Sequence, residues 1–311
     1  MANKVNSQKI LRICLIVYAA VIVVGIAIAC IFGLRLDINF SGGTRISYSY
    51  TGEVAEKDAE AVIKDTIDKD FSLSKNTSIA GDTKTLTVAL AGKNSLSAES
   101  QEAITKALTE KFKDNEIELY DSNSVSPTVA GTFLLKSLVA VVLTAILVVI
   151  YVGIRFRKIG GVSAALTALV ALVLDILVSF FVCVIFRLQI DSNYMAVVLT
   201  ILGYSLNDTI VVYDRIRENS KVYPDMAMGE NVDISLRSVM VRNIMTTVTT
   251  VLAVATIIVV AEIYGLTSLR TFAIPMAFGL VSGCFSSLFV AAPLWVNYRN
   301  HKEKKAAAKK A

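Results

Sequence analysis

Charge is scarce in this chain. Of 311 residues, 18% are Asp, Glu, Lys or Arg and 54% are hydrophobic, with a mean hydropathy of +0.60. An ordinary soluble domain carries about 25% charged residues, so this composition excludes that class and indicates a membrane protein. Histidine is scarcer still. The single His301 lies in a basic tail, which leaves no Ser-His pair and no zinc set to support hydrolytic chemistry. Cysteine is limited to Cys14, Cys30, Cys183 and Cys284, all within apolar stretches and without metal-ligand spacing. Packing, and neither disulfide nor metal chemistry, is expected of them. Phosphate-binding loops are missing too: Gly42-Gly43 is followed by neither G-x-x-x-x-G-K-[ST] nor G-x-G-x-x-G, and reads as a structural turn. Tyr213-Asp214 lacks the Gly-x-Gly-Asp companion of an intramembrane aspartyl protease. An enzyme is therefore disfavoured.

Long apolar runs are what the chain has in quantity. Six approach the roughly twenty residues that cross a bilayer: Ile13 to Phe32, Leu134 to Ile154, Val162 to Phe186, Tyr194 to Tyr213, Val239 to Val260 and Phe272 to Val296. The first follows Lys4, Lys9 and Arg12 like a secretory signal, but its apolar core outruns the usual 7–15 residues and Phe32-Gly-Leu-Arg-Leu offers no small-x-small cleavage site, so it reads as a retained anchor. Basic clusters at Lys4 to Arg12, Arg155 to Lys158, Arg215 to Lys221 and Arg299 onward fall on one side of a six-span plan. Positive-inside bias then places both termini in the cytoplasm. The basic tail is read as a flank attracted to anionic lipid; nucleic acid is not expected as its partner.

Between the first two runs the composition changes. Arg35 to Phe133 holds 11 Lys plus Arg against 16 Asp plus Glu, a net charge of about −5, while the whole chain stands at +5. This predicts a separate acidic, extracytoplasmic domain, and a division into 1–34, 35–132, 133–298 and 299–311. Alternation over Thr44 to Tyr50 predicts a strand, and helical spacing over Val54 to Ile67 predicts a helix. Strands at Phe71 to Ala80 and Thr85 to Ala91, a helix at Ala98 to Phe112 and a strand at Ile117 to Ser124 complete a β-α-β-β-α-β order, that of a ferredoxin-like unit. Turn signals stand at Gly81-Asp82 and Gly92-Lys93-Asn94. Two glycine-bearing motifs flank the domain, Asn39-Phe-Ser-Gly42-Gly43-Thr44 and Pro127-Thr-Val-Ala-Gly131. They are expected to allow unusual dihedrals or close approach, with Pro127 ending the last strand.

Polar residues inside the apolar runs are the functional candidates. Asp208 lies in the fourth run, beside Asn207 and one turn from Gly203 and Tyr204, which predicts a polar, small-residue face. A charge at membrane depth costs at least a few kcal/mol and marks ion or proton movement. Asp175 in the third run reads equally as a proton site or cation partner and as a structural carboxyl hydrogen-bonded to a neighbouring helix. On the fifth run Arg242, Thr246, Thr249 and Thr250 form a stripe predicted to face inward. Arg242 pairs with Asp208 as a protonation-sensitive switch on one reading. On the other it joins Asp214, Arg215, Arg217 and Glu218 in a solvated interfacial cluster. Gly279-Leu-Val-Ser-Gly283 permits close helix contact in the last run.

Gly203-Tyr-Ser-Leu-Asn-Asp-Thr-Ile-Val-Val-Tyr-Asp-Arg-Ile-Arg-Glu-Asn219 resembles the fourth-span signature of the SecF branch of the SecD/SecF family, within the resistance-nodulation-division superfamily. The six-span plan, the Gly-Gly-Thr entry and the Val125-Ser-Pro-Thr-Val-Ala-Gly131 exit extend the resemblance over nearly the whole chain. It implies a proton-driven accessory of protein export in the cytoplasmic membrane, working with a SecD-like subunit, the SecYEG channel and the translocating polypeptide. No resident cofactor is implied, only H⁺ or Na⁺ as coupling ion. Family matching places the intramembrane aspartate on Asp208 and the fifth-span arginine on Arg242, with Asp175 at a polar position of span three; these three are the expected proton-coupling residues, and Asn207, Tyr204 and Thr246, read from the polar faces of their helices, are expected to support them. One departure stands out: where the family has Asp-Phe-[Thr/Ser]-Gly-Gly this chain has Asn39-Phe-Ser-Gly-Gly43, with an aspartate displaced to Asp37. A proton-coupled exporter of lipids or small molecules is the competing reading, though six spans and one external domain are only half of that architecture.

Overall fold

The computed structural model describes residues 7–67, 71–77, 84–91 and 96–308. The expected turns at Gly81-Asp82 and Gly92-Lys93-Asn94, the end of the strand predicted to reach Ala80, Lys4, and tail residues 309–311 lie outside them. Six helices are long and apolar enough to cross a membrane: α1 (Ser7–Phe32), α5 (Pro127–Arg155), α6 (Gly161–Ile185), α7 (Ser192–Val222), α8 (Met228–Ile263), and a sixth, Thr267–Lys302, in which α9 (Thr267–Ser286) runs through a π-helical segment (Ser287–Ala291) into α10 (Ala292–Ala308). The chain is a multi-pass helical membrane protein.

Helix ends depart from the apolar runs where polar residues continue the helix. α7 extends nine residues beyond Tyr213 and α8 begins eleven before Val239. Hydropathy marks what lies in lipid, whereas helices go on as long as side chains find partners. Here Asn219 Nδ2 donates to Ser235 Oγ at 2.8 Å, Asn231 Nδ2 to Ser220 Oγ at 2.8 Å and Arg215 Nε to Ser238 Oγ at 3.0 Å, zipping the two extensions together antiparallel.

Between α1 and α5 come a short α2 (Ile38–Ser41), β1 (Gly43–Tyr50), α3 (Glu56–Thr66), β2 (Ser72–Thr77), β3 (Lys84–Ala91), α4 (Ala98–Lys111) and β4 (Glu118–Val125). The strands form one small antiparallel sheet in the order β2-β3-β1-β4, with a register shift against β4 at Ser47/Tyr48. One face carries Ile46, Tyr48, Leu86 and Val88, against which α3 buries Ala59 and Ile63 and α4 buries Ile104 and Leu108. These spacings are the alternation and helical periods of the sequence made solid. Ser97 caps α4 by accepting from the Ser100 N–H, and Ser126 caps α5 by accepting from the Val129 N–H. Pro127 thus both closes β4 and opens α5, where its missing N–H costs nothing.

The two glycine motifs meet. Gly42 has φ +76°, and a Cβ there would come within 2.9 Å of Pro127 Cα. Phe40 packs against Phe133 from the same two segments, ring centroids 5.4 Å apart. Gly131 departs from the expected turn: it is a helical residue of α5 with nothing facing it.

Candidate functional site

Two carboxylates are buried in the middle of the bundle. Asp175 on α6 is 0% exposed and accepts from three hydroxyls, Ser205 of α7 at 2.7 Å and Ser282 and Ser286 of α9 at 2.6 and 2.7 Å. Tyr18 of α1 reaches the same knot, its hydroxyl 3.1 Å from both oxygens of Ser282. A buried carboxyl requires such partners. Two helices, α7 and α9, supply them because small residues let the backbones approach: a Cβ on Gly283 would stand 3.0 Å from Ser205 Cβ, and one on Gly279 would run into Ile201. The small-residue pattern read from the sequence is thus used at close range. Immediately beyond, Thr209 and Ser287 hydroxyls lie 2.8 Å apart at the start of the π-helical segment, a feature that often accompanies functional sites.

Asp208 lies one turn further along α7 and is 2% exposed. Its Oδ2 has no hydrogen-bond partner. Arg242 acts on it electrostatically, but no ion pair within 4.0 Å joins them among the described residues, and Arg242 is exposed. The expected inward stripe is rotated: Arg242, Thr246 and Thr249 are exposed and Thr250 half-buried, while the buried residues of α8 at this level are Asn243 and Thr247. On α7 likewise, Gly203 and Asn207 are exposed and Tyr204 is half-buried, leaving Ser205, Asp208 and Thr209 inside. The reason lies in helix geometry. Both rows recur at spacings of three to four, and polarity alone does not say which row a neighbour covers. The exposed threonines return their hydroxyls to carbonyls one turn back, Thr246 to Arg242 at 2.7 Å and Thr249 to Met245 at 3.0 Å. Tyr204 bridges the helices, donating to the Thr246 carbonyl at 3.0 Å and lying 2.6 Å from Thr250 Oγ1.

Sequence reasoning missed Ser205, Ser282, Ser286, Asn243 and Thr247. The i, i+4 recurrence of Ser282 and Ser286 was a usable signal for the first group. Asn243 Nδ2 is buried without a partner, and the contacts of Tyr204 with Thr250 and of Arg215 with Ser238 bracket both it and Asp208. The solvated cluster forms without Arg242: Asp214 pairs with Arg155 at 3.1 Å and Arg217 at 2.7 Å, and Arg215 with Glu218 at 2.7 Å. The displaced Asp37 is buried, and Asn39 Nδ2 donates to it at 2.8 Å. Among the described residues no group of three or more His, Cys, Asp or Glu side chains gathers to hold a metal ion.

Residues 104–301 match the family described as protein export membrane protein SecD/SecF, C-terminal. The chain is 34% identical over 300 residues to the protein translocase subunit SecDF of Bacillus subtilis, covering 93% of this chain but 37% of that protein. Against the protein translocase subunit SecF of Alicyclobacillus acidocaldarius it is 31% identical over 290 residues, covering 92% of this chain and 90% of that one. The crystal structure of SecDF, a translocon-associated membrane protein from Thermus thermophilus, shares the fold with a TM-score of 0.77 at 23% identity, over 96% of this chain and 39% of that one. The chain belongs to the SecD/SecF family of protein export membrane proteins.

Proposed function

We propose that the chain is a SecF-like accessory subunit of the Sec translocon, multi-pass in the cytoplasmic membrane, that uses the proton motive force to promote polypeptide translocation. The observation that carries this reading is Asp208: a carboxylate 2% exposed at membrane depth, one oxygen unpartnered, within the field of a guanidinium. Such a group is expensive to keep unless it works. One charge crossing the membrane potential supplies about 2.3 kcal/mol per 100 mV, enough to bias a two-state helix arrangement. Asp208 is the proton-coupling group, Arg242 the cation that favours its ionised form, and Asp175 the fixed polar anchor. Asn207, Tyr204 and Thr246 support them, and Asn39, Gly42, Gly43, Pro127 and Gly131 mark the motifs that join the external domain to the membrane.

In this reading both termini are cytoplasmic, residues 1–34 are the anchor, 35–132 the extracytoplasmic domain, 133–298 the remaining bundle and 299–311 a basic tail held at the lipid surface. The β-α-β-β-α-β order and the β2-β3-β1-β4 antiparallel sheet support a ferredoxin-like domain. A SecD-like partner is supported by the exposed side chains of Asn207 and Arg242, which lipid alone would leave unsolvated. The competing exporter reading has no observation of its own.

The test is Asp208→Asn in vesicles carrying the translocon, the partner and this chain. Export stimulated by a proton gradient should fall to the level without this chain, while Ser122→Ala on exposed β4 retains it. Replacing the proton gradient by a sodium gradient identifies the coupling ion. Undiminished, uncoupler-sensitive export by Asp208→Asn would sink the reading.

A further inference from the structure

The stalk leaving α1 makes a dense polar junction outside the bundle core. Asp37 is 1% exposed. Its Oδ1 accepts from the Arg45 guanidinium of β1 and from Gln189 Nε2 at 3.4 Å, and its Oδ2 from Asn39 Nδ2. The backbone repeats the connection. Asp37 N–H donates to the Ile190 carbonyl at 3.0 Å and Ile190 N–H to the Arg35 carbonyl at 2.8 Å, around a parallel bridge between Leu36 and Ile190. Arg187, in the same loop, donates to the carbonyls of Phe32 and Gly33 at 2.9 and 2.8 Å, closing the end of α1.

The loop leads directly into α7. Asp191 caps that helix by accepting from the Asn193 and Tyr194 N–H groups at 2.9 and 3.3 Å, and accepts from Thr271 Oγ1 of α9 at 3.2 Å. One buried carboxylate therefore touches the first strand of the sheet, the stalk and the loop that begins the helix bearing Asp208. Arg45 and Asp37 are eight residues apart in the chain, and their ion pair ties β1 to the stalk. A carboxylate this buried tolerates no loss of its cation, since breaking such a pair leaves an uncompensated charge.

We propose that Asp37 is a positioning residue whose pairing with Arg45 holds the sheet domain in fixed orientation to the loop that begins α7, so that movement of α7 is delivered to that domain. The orientation claim stands on the geometry alone, and its consequence for export rests on the function proposed above.

The test uses the full chain with its partner in liposomes, the four native cysteines replaced by alanine, and spin labels at two exposed positions, Tyr120 on β4 and Tyr264 after α8. Pulsed EPR should give one narrow distance distribution for otherwise unaltered chain. Asp37→Asn and Arg45→Gln should each broaden it, and Arg45→Lys, which keeps the charge, should leave it narrow. Amide exchange of the sheet, read in parallel, confirms that the domain stays folded in each variant scored. Export should fall roughly two- to thirty-fold in the two broadened variants, the range of mutations that loosen a coupling network. A narrow distribution in Asp37→Asn, or equal broadening in Arg45→Lys and Arg45→Gln, overturns the proposal. Normal export by Asp208→Asn would remove the proposed function and leave the distance result standing.

Discussion

In the sheet domain Ile46, Tyr48, Ile63, Leu86, Ile104 and Leu108 are fully buried, while the edge strand β4 is exposed along nearly its whole length. The bundle also buries apolar residues such as Leu172, Ile201 and Val212, but among them it buries Asp175, Ser205, Asp208, Ser286 and Ser287, while Ile16, Ile31, Leu135 and Ile154 lie at the surface. One chain thus follows two packing regimes, split at the Gly42–Pro127 contact. In water the removal of apolar area drives association, at roughly 25 cal/mol per Å². Lipid supplies no such drive between helices, so close approach at glycine and serine and shared hydrogen bonds hold them. Polar side chains in the bundle are therefore adhesive.

The largest effect expected from this contrast is in the sheet. Ile46→Ala should destabilise that domain by about 2–5 kcal/mol, read as the loss of slow-exchanging amides in β1 and β3. Ile31→Ala, a lipid-facing truncation of the same size, should change stability by less than about 0.5 kcal/mol. Equal losses would break the comparison. In the bundle, adding bulk should do the damage that removing it does in the sheet. Gly279→Val drives a branched side chain into fully buried Ile201 and should cost about 1–3 kcal/mol in detergent unfolding, with sheet amides unaffected.

Smaller effects sharpen the contrast. Ser282→Ala removes one of the donors to Asp175 and should cost about 0.6–2 kcal/mol of bundle stability, whereas Ser122→Ala on exposed β4 should be neutral by the same measurement. The smallest concerns pH. Burial lifts the Tyr48 and Tyr50 phenols above their ordinary value, opposed at Tyr48 by the Thr105 hydrogen bond and reinforced at Tyr50 by Glu53 and Glu56. In the unfolded chain these phenols ionise first as pH climbs through about 10, so sheet stability is intact below that pH and is lost progressively above it. Phenolate absorbance and amide exchange should change together in the alkaline range, and Tyr50→Phe should lessen the loss.

The sheet domain was legible because its alternating and helical spacings point at a single water-excluding face; each predicted strand and helix forms within a residue or two, except where the second strand passes into undescribed residues. The acids of the bundle were legible for a different reason: Asp175 and Asp208 stand against an apolar background. Their surroundings were not. Arg242 and Thr246 look as inward as Asn243 and Thr247 in a helix period, and only packing against α7 separates the rows. Gly131 resembled a turn glycine until Ser126 and Pro127 began a helix before it. Asp37 looked like a displaced motif residue, and nothing in its neighbours named Arg45, Gln189 and Ile190 as its partners.

The sequence by itself determined the membrane class, the six spans, the acidic insert with its order of strands and helices, and the two intramembrane carboxylates. These are local properties, written in composition and period, and a few turns of chain contain them. Only the tertiary structure decided which polar row faces inward, that three serines surround Asp175 while Asp208 keeps an unpartnered oxygen, and that Asp37 joins the stalk to the loop before α7. Those outcomes depend on which helices touch and at what level, a relation between residues tens to more than a hundred positions apart that no local pattern encodes.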